Sequence, residues 1–280
     1  YSRVLADAIA RWSGPTTMLS TGTDEHGVKV WRAALTAGVP VEEWCEQTSA
    51  GFRRLADFMN IRYKRFVRTT DEDHEQVVCE VWNRLVANGA IYKGHHSGWY
   101  SVMEERFLTE RELLQQKDKT NVHFVTEENY RFRLHRYIDK VIQWLEEEKP
   151  IVPESRFNDI LPLIKASLQE DGELSVSRQR DAMQWGIPVP GDPQQLIYVW
   201  LDALTNYLTI SKTSKFTHIL GMDILKFHAV YWPAFLIAAD LAHLLPERLI
   251  VHGHWLQGGE KMSKSVGNVV DPARILSKYG

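Results

Sequence analysis

The chain has 280 residues, 44% of them hydrophobic, with 33 Lys and Arg against 36 Asp and Glu for a formal charge of −3. That length buries a sizeable core in one large or two modest domains, and the near balance of charge argues against binding along a nucleic-acid backbone by bulk electrostatics. The only cysteines, Cys45 and Cys79, lie far apart without a neighbouring cysteine, which excludes a C-x-x-C zinc site and argues against a disulfide framework; no apolar run approaches the roughly 18 residues of a membrane helix.

Read in order, residues 1–12 place Val4, Leu5, Ala8, Ile9 and Trp12 on one helical stripe. Residues 17–21 form a short strand candidate that runs into the turn GTDEHG at 22–27, putting polar groups at a strand's carboxyl end. Pro40 opens a helix reaching about Met59, with Trp44, Phe52, Leu55 and Met59 inward, and Thr70 or Asp71 caps another that stops at Asn88 and Gly89. From about Tyr92 to Val176 the chain turns aromatic and charged without strand–helix alternation, which predicts an inserted subdomain. Alternation resumes with a strand or strand-to-helix turn at 197–200, a strand at 216–220, a turn at 221–223, a long helix to about Leu241 and an apolar strand at 248–252. A glycine-flanked loop holding Lys261, Met262, Ser263, Lys264 and Ser265 then leads to Asp271, a helix cap, and Pro272, its first position. This order predicts a parallel, doubly wound α/β sheet interrupted by a connective insertion: residues 1–92 as its first half, 93–176 as the insertion and 177–280 as its second half.

Several of these stretches carry chemistry or merely packing. Two lysines and two serines beside glycines pack no core; they make either a solvated basic turn or a loop that meets phosphate charge building up in a transition state. Ile224, His228 and Trp232 recur at i, i+4 and i+8, as a core stripe or as an apolar pocket wall with one polar handle. Gly221 permits close backbone approach, and Asp223 can accept hydrogen bonds from a ribose. Asp202 is an acid amid apolar neighbours, so it needs partners; it caps the following helix or shapes a pocket with Trp200, Ala203 and Tyr207. Asp24 is a solvated loop residue or an ammonium-recognising carboxylate. His252 and His254 lie two apart with no third ligand candidate close in sequence, so no metal site is assigned, and no G-x-G-x-x-G follows a strand as a dinucleotide oxidoreductase needs.

Taken together, GTDEHG at 22–27, YVWLDAL at 198–204, GMDILKFHAVYWPA at 221–234, VHGHW at 251–255 and KMSKSVGNVVDP at 261–272 resemble the methionyl-tRNA synthetases, a class I aminoacyl-tRNA synthetase family, over nearly the whole chain. SVSR at 175–178 and WGIPVPGD at 185–192 are similar to its bacterial and mitochondrial members. The resemblance implies a Rossmann-like catalytic core that activates methionine with ATP to methionyl-adenylate and pyrophosphate, then transfers it to tRNA. Position by position it implies that Asp24 holds the substrate ammonium, that Arg178 pairs with the substrate carboxylate region, and that Trp200, Ala203, Tyr207, Ile224, His228 and Trp232 enclose the thioether side chain. Gly221, Asp223 and Val251 would hold adenosine, and Lys261, Ser263 and Lys264 the transferring phosphates, with Mg2+ carried by the ATP. It further implies no structural zinc, no membrane association, and a mitochondrial matrix location or otherwise a cytoplasmic one.

The sequence departs from that family in places. The His-x-Gly-His signature is absent, and the family pattern puts it, with the first central strand, immediately before Tyr1; a helical anticodon-binding domain would follow Gly280. The chain as given is therefore expected not to catalyse adenylation by itself, and tRNA discrimination is expected from outside it. Met222 stands where many relatives have a basic residue beside the turn. The alternative reading is a non-catalytic adenosine- or methionine-binding module derived from such an enzyme.

Overall fold

The fold is taken from a computed structural model that describes residues 1–102, 106–108, 110–116, 119–181, 184–254, 256–262 and 270–279. In chain order, α1 (Ser2–Ser13) leads into β1 (Leu19–Thr23), followed by α2 (Val28–Ala37), α3 (Val41–Phe58), β2 (Tyr63–Arg68) and α4 (Glu72–Ala87). Next come β3 (Ile91–Ser101), β4 (Arg106–Leu108), α5 (Glu110–Gln115), β5 (Val122–Phe132), α6 (Ile138–Glu148), β6 (Ile151–Val152) and α7 (Glu154–Asp171). Four strands follow, β7 (Leu174–Ser175), β8 (Ser177–Gln179), β9 (Pro188–Val189) and β10 (Asp192–Ile197), and then α8 (Val199–Ile210), β11 (Thr217–Gly221), α9 (Trp232–Ala238) and β12 (Arg248–His252). A hairpin of β13 (Leu256–Gln257) and β14 (Glu260–Lys261) and the helix α10 (Pro272–Tyr279) close the chain.

The expected α/β architecture holds. β1 and β2 pair in parallel, and β11, β12 and β6 form a second parallel set in that order. Gly22 makes the first pairing possible: a Cβ there would meet the Val67 carbonyl oxygen at 1.9 Å. Helix α4 shows how sequence builds the core. Asp71 precedes it, Glu72, Asp73 and Glu75 fill its first turn in keeping with the helix dipole, and Val78, Val81, Trp82 and Leu85 form its buried stripe. That stripe packs on α8, which buries Leu201, Leu204 and Leu208. Trp82, Trp232, Tyr198, Phe132 and Phe235 are almost fully buried, each stabilising the fold by about 1.5–3 kcal/mol through apolar burial.

The stripe on α1 turns Trp12 outward, 93% exposed, while the buried face carries Asp7, whose carboxylate accepts bonds from Arg11 Nε and the Arg62 backbone N–H. Three expectations are corrected. Phe52 is exposed on α3, with the Arg3 guanidinium 4.8 Å from its ring centre. The long helix after Gly221 is a 3-10 turn at Met222–Ile224, a π turn at Phe227–Tyr231 and then α9. Finally, residues 93–176 are not one unit. β4, β3, β5 and β7 do make an antiparallel sheet, but β6 pairs with β12 of the parallel set and α6 puts Val141, Trp144 and Leu145 into the main core. A two-residue strand leaves too little periodicity to be seen from sequence.

Candidate functional site

A cavity of about 700 Å3 lies between α1, β1 and β11 and runs along α8. Asp24, Trp200, Ala203, Tyr207, Ile224 and His228 all line it, although they come from three separate stretches of chain.

Asp24 is exposed to the cavity because its neighbours are not. Glu25 is 3% exposed and accepts hydrogen bonds from Arg68 through Nε and Nη2, from Thr23 Oγ1 and from Thr70 Oγ1, while its backbone N–H donates to Thr69 Oγ1. Burial works against the Glu25 charge, but Arg68 and the two hydroxyls outweigh it and hold the carboxyl below its usual range. The Glu25 carbonyl accepts the Trp185 indole N–H at 2.6 Å. His26, also buried, places Nδ1 2.7 Å from Asp202 Oδ2. Asp24 thus projects from a turn fixed on both of its sides.

The opposite wall is aromatic. The Trp200 ring stacks on Phe227 with centres 3.5 Å apart and planes 12° apart. His228 Nδ1 lies 3.0 Å from the Ile224 carbonyl, which can only accept, so that nitrogen carries the proton. Nε2 therefore accepts, and its partner at 2.8 Å is the Tyr207 hydroxyl. Burial lowers the His228 pKa to about 4, against the Ile224 bond that works the other way, so the ring is neutral at pH 7. Burial also pushes the Tyr207 phenol up. With the phenol proton committed to His228, this wall offers rings and a neutral imidazole but no charge. His218 adds a further buried ring, 3.9 Å from that of Tyr207, and its Nδ1 has no hydrogen-bond partner; burial holds it well below its ordinary pKa, with His228 adding to the effect.

Other predicted residues fall elsewhere. Gly221 and Asp223 stand at the carboxyl end of β11, where a Cβ on Gly221 would lie 2.6 Å from Asp223 Oδ1, so glycine leaves room for the exposed carboxylate. Val251 is buried in β12 opposite Leu220. Trp232 is not on the cavity wall: it is 1% exposed and packs behind Tyr207 at 5.9 Å, because the π turn between them, with its i→i+5 bonding, breaks the i, i+4, i+8 register. Arg178 is also absent from the cavity. Its guanidinium is buried in β8, bonded to the Ser177 carbonyl and Ser175 Oγ, 3.5 Å from Glu127, and set against the rings of Tyr100, Phe107 and Tyr198. A cation so enclosed ties the antiparallel layers together, and it stands apart from the residues that line the cavity. Of the lysine loop, Lys261 ends β14, and Ser263 and Lys264 lie outside the described residues.

Sequence reasoning passed over Arg68, His74 and His218. His74 had a readable signal, since it sits four residues before Val78 on the apolar stripe of α4, a polar residue in a core position. It is fully buried, with Nε2 2.7 Å from Asp202 Oδ1 and Nδ1 2.9 Å from Thr209 Oγ1. Among the described residues there is no group of three or more His, Cys, Asp or Glu side chains arranged to hold a metal ion.

The family model for class I (M) tRNA synthetases matches residues 1–117 and 116–280. A probable mitochondrial methionine–tRNA ligase of Dictyostelium discoideum is 42% identical over 313 residues, covering 100% of this chain and 54% of the relative. The methionine–tRNA ligase of Brucella suis is also 42% identical, over 303 residues, with 100% and 57% covered. Among solved structures, Mycobacterium tuberculosis methionyl-tRNA synthetase bound by methionyl-adenylate superposes with a TM-score of 0.89 at 40% identity, covering 100% of this chain and 58% of that one. The chain thus spans just over half the length of these relatives.

Proposed function

The chain belongs to the class I tRNA synthetases of the methionyl type, and on that footing we propose that its cavity binds methionine for activation by ATP to methionyl-adenylate and transfer to tRNA. The observation that carries this reading is the convergence on one cavity of an outward carboxylate, Asp24, on a turn fixed at both sides, and an uncharged aromatic wall of Trp200, Tyr207 and His228. A carboxylate held by a rigid turn suits an ammonium group. The wall suits a flexible, polarizable thioether, for which each sulfur–aromatic contact contributes about 0.3–1.5 kcal/mol. Ala203 leaves space beside Trp200, and Ile224 supplies an aliphatic face.

ATP would lie with its adenosine at the carboxyl ends of β11 and β12, near Gly221, Asp223 and Val251. Lys261, Ser263 and Lys264 are assigned to the phosphates, where Mg2+ arrives with the nucleotide; the catalysis is positioning and stabilisation of charge that develops in the transition state. Residues 177–280 together with 1–92 and the returning α6–β6 segment would form the catalytic body, and the antiparallel β4–β3–β5–β7 sheet the connective unit. Anticodon contacts would come from outside this chain. The similarity to mitochondrial ligases supports a matrix location, and no helix of the described residues is long and apolar enough to cross a membrane.

Methionine-dependent ATP–pyrophosphate exchange on the full-length protein tests the reading. The expected result is exchange that requires methionine and falls about 10–100-fold in kcat/KM for Asp24→Asn, the size of a lost hydrogen bond to a charged group. Methionine binding without any exchange would favour the non-catalytic module, and exchange driven by a different amino acid would overturn the substrate assignment.

A further inference from the structure

Asp202 is 1% exposed, and both of its oxygens are taken by imidazoles on other elements: Oδ2 by His26 Nδ1 in the turn after β1, and Oδ1 by His74 Nε2 on α4, each at 2.7 Å. No side-chain bond caps the N-terminus of α8, so the carboxylate is not the helix cap that its position allowed. Because a carboxylate only accepts, both imidazoles donate to it, and His74 Nδ1 is in turn hydrogen-bonded to the Thr209 hydroxyl from the last turn of α8. Burial disfavours the Asp202 charge, but His26 and His74 outweigh it and hold the group ionised. His26 shows the matching response: burial disfavours its charge, while Asp202 foremost, with Asp24 and Glu75, holds its pKa above the ordinary value. A buried charge is a poor device for stability alone, since well-packed apolar residues of the same volume often serve as well. What this one joins is specific. His26 is two residues from Asp24, and Asp202 is flanked within two residues by Trp200 and Ala203.

We propose that Asp202 is the positioning residue of this site: through its bond to His26 it sets the distance between the carboxylate that receives the ammonium and the α8 wall that receives the side chain. Glu25 ties the turn to β2 through Arg68; His26 ties it to α8. The proposal rests on the assignment of Asp24 to the substrate ammonium given above. It assigns Asp202 no contact with substrate, so its whole effect on binding passes through the placement of Asp24.

A double-mutant cycle on the full-length protein tests this, with methionine KM and kcat read from pyrophosphate exchange and folding checked by thermal unfolding. Asp202→Asn is expected to raise the methionine KM about tenfold in the wild-type background, as one misplaced charge-assisted hydrogen bond does, and less than about twofold in the Asp24→Asn background. Equal factors in the two backgrounds would mean that Asp202 serves the fold alone and would overturn the proposal. If Asp24→Asn by itself leaves KM unchanged, the ammonium assignment fails first, and the proposal falls with it. Should Asp202→Asn not fold, the cycle is run with His26→Gln, which leaves the carboxylate its His74 partner, and the same non-additivity is expected.

Discussion

Asp202 and Arg178 are both charged and both buried, yet they occupy different kinds of place. Asp202 sits beneath the cavity wall, and each of its partners lies on an element that presents a residue to the cavity or packs directly behind one. Arg178 sits where β8 meets β5, held by Glu127 and Ser175 and enclosed by three aromatic rings, and none of these side chains lines the cavity. Burial and charge are common to both. Only the connectivity separates a residue that can govern binding from one that holds two layers of strands together.

The largest effect expected from this contrast is on stability. Arg178→Met leaves the Glu127 carboxylate buried without its cation, which should cost about 3–5 kcal/mol, read as a lowered denaturant midpoint at unchanged m-value. The comparison breaks if the midpoint hardly moves. Next in size, Asp24→Asn should change stability by less than about 0.5 kcal/mol, because the side chain is exposed, while the pyrophosphate exchange it supports falls steeply; a comparable loss of stability would make the turn a structural element like Arg178. Comparable in size, Tyr207→Phe leaves His228 Nε2 buried without a donor and should cost about 1–3 kcal/mol, in unfolding measured at pH 7.

A pH profile sharpens the comparison further. His228 has its folded pKa lowered from 6.5 to about 4, so the unfolded chain binds the extra proton between those values; stability is full above about pH 6.5 and is lost as pH falls toward 4. His26 is shifted the opposite way, so its contribution is full below the ordinary value and is lost as pH rises through the raised one. Arg178 is raised further from an already high value and contributes no slope in this range. His228→Asn should therefore flatten the wild-type loss between about pH 6.5 and 4, in unfolding curves taken at half-unit intervals. An unchanged slope would mean that the imidazole titrates normally.

Much of this was legible before any coordinates. The α4 boundaries followed from Thr70 or Asp71 at its start and Asn88 and Gly89 at its end, and the α10 start from Asp271 and Pro272. The cavity residues Asp24, Trp200, Ala203, Tyr207, Ile224 and His228 were all named from turns and helix faces. What escaped has physical reasons. β2 alternates poorly because Lys64 and Arg65 stand in its first half, and α2 begins after Gly27 without a capping side chain. Trp232 was misplaced because a π turn leaves no trace in residue spacing. Arg178 was assigned to the substrate from a matched motif, which gives a residue its neighbours in sequence but not the direction in which its side chain points, and the fold sets it apart from the cavity residues. His74 was the converse case, a polar residue in an apolar stripe whose partner, Asp202, lies 128 residues away.

The contrast between the two buried charges is tested most directly by the methionine KM of Arg178→Met and Asp202→Asn, measured side by side in pyrophosphate exchange at a temperature where both variants remain folded. The account predicts that Arg178→Met keeps the wild-type KM within about twofold despite its lower stability, whereas Asp202→Asn raises it about tenfold. A tenfold rise for Arg178→Met would contradict it, returning the guanidinium to the substrate and leaving position relative to the cavity with no power to tell the two charges apart.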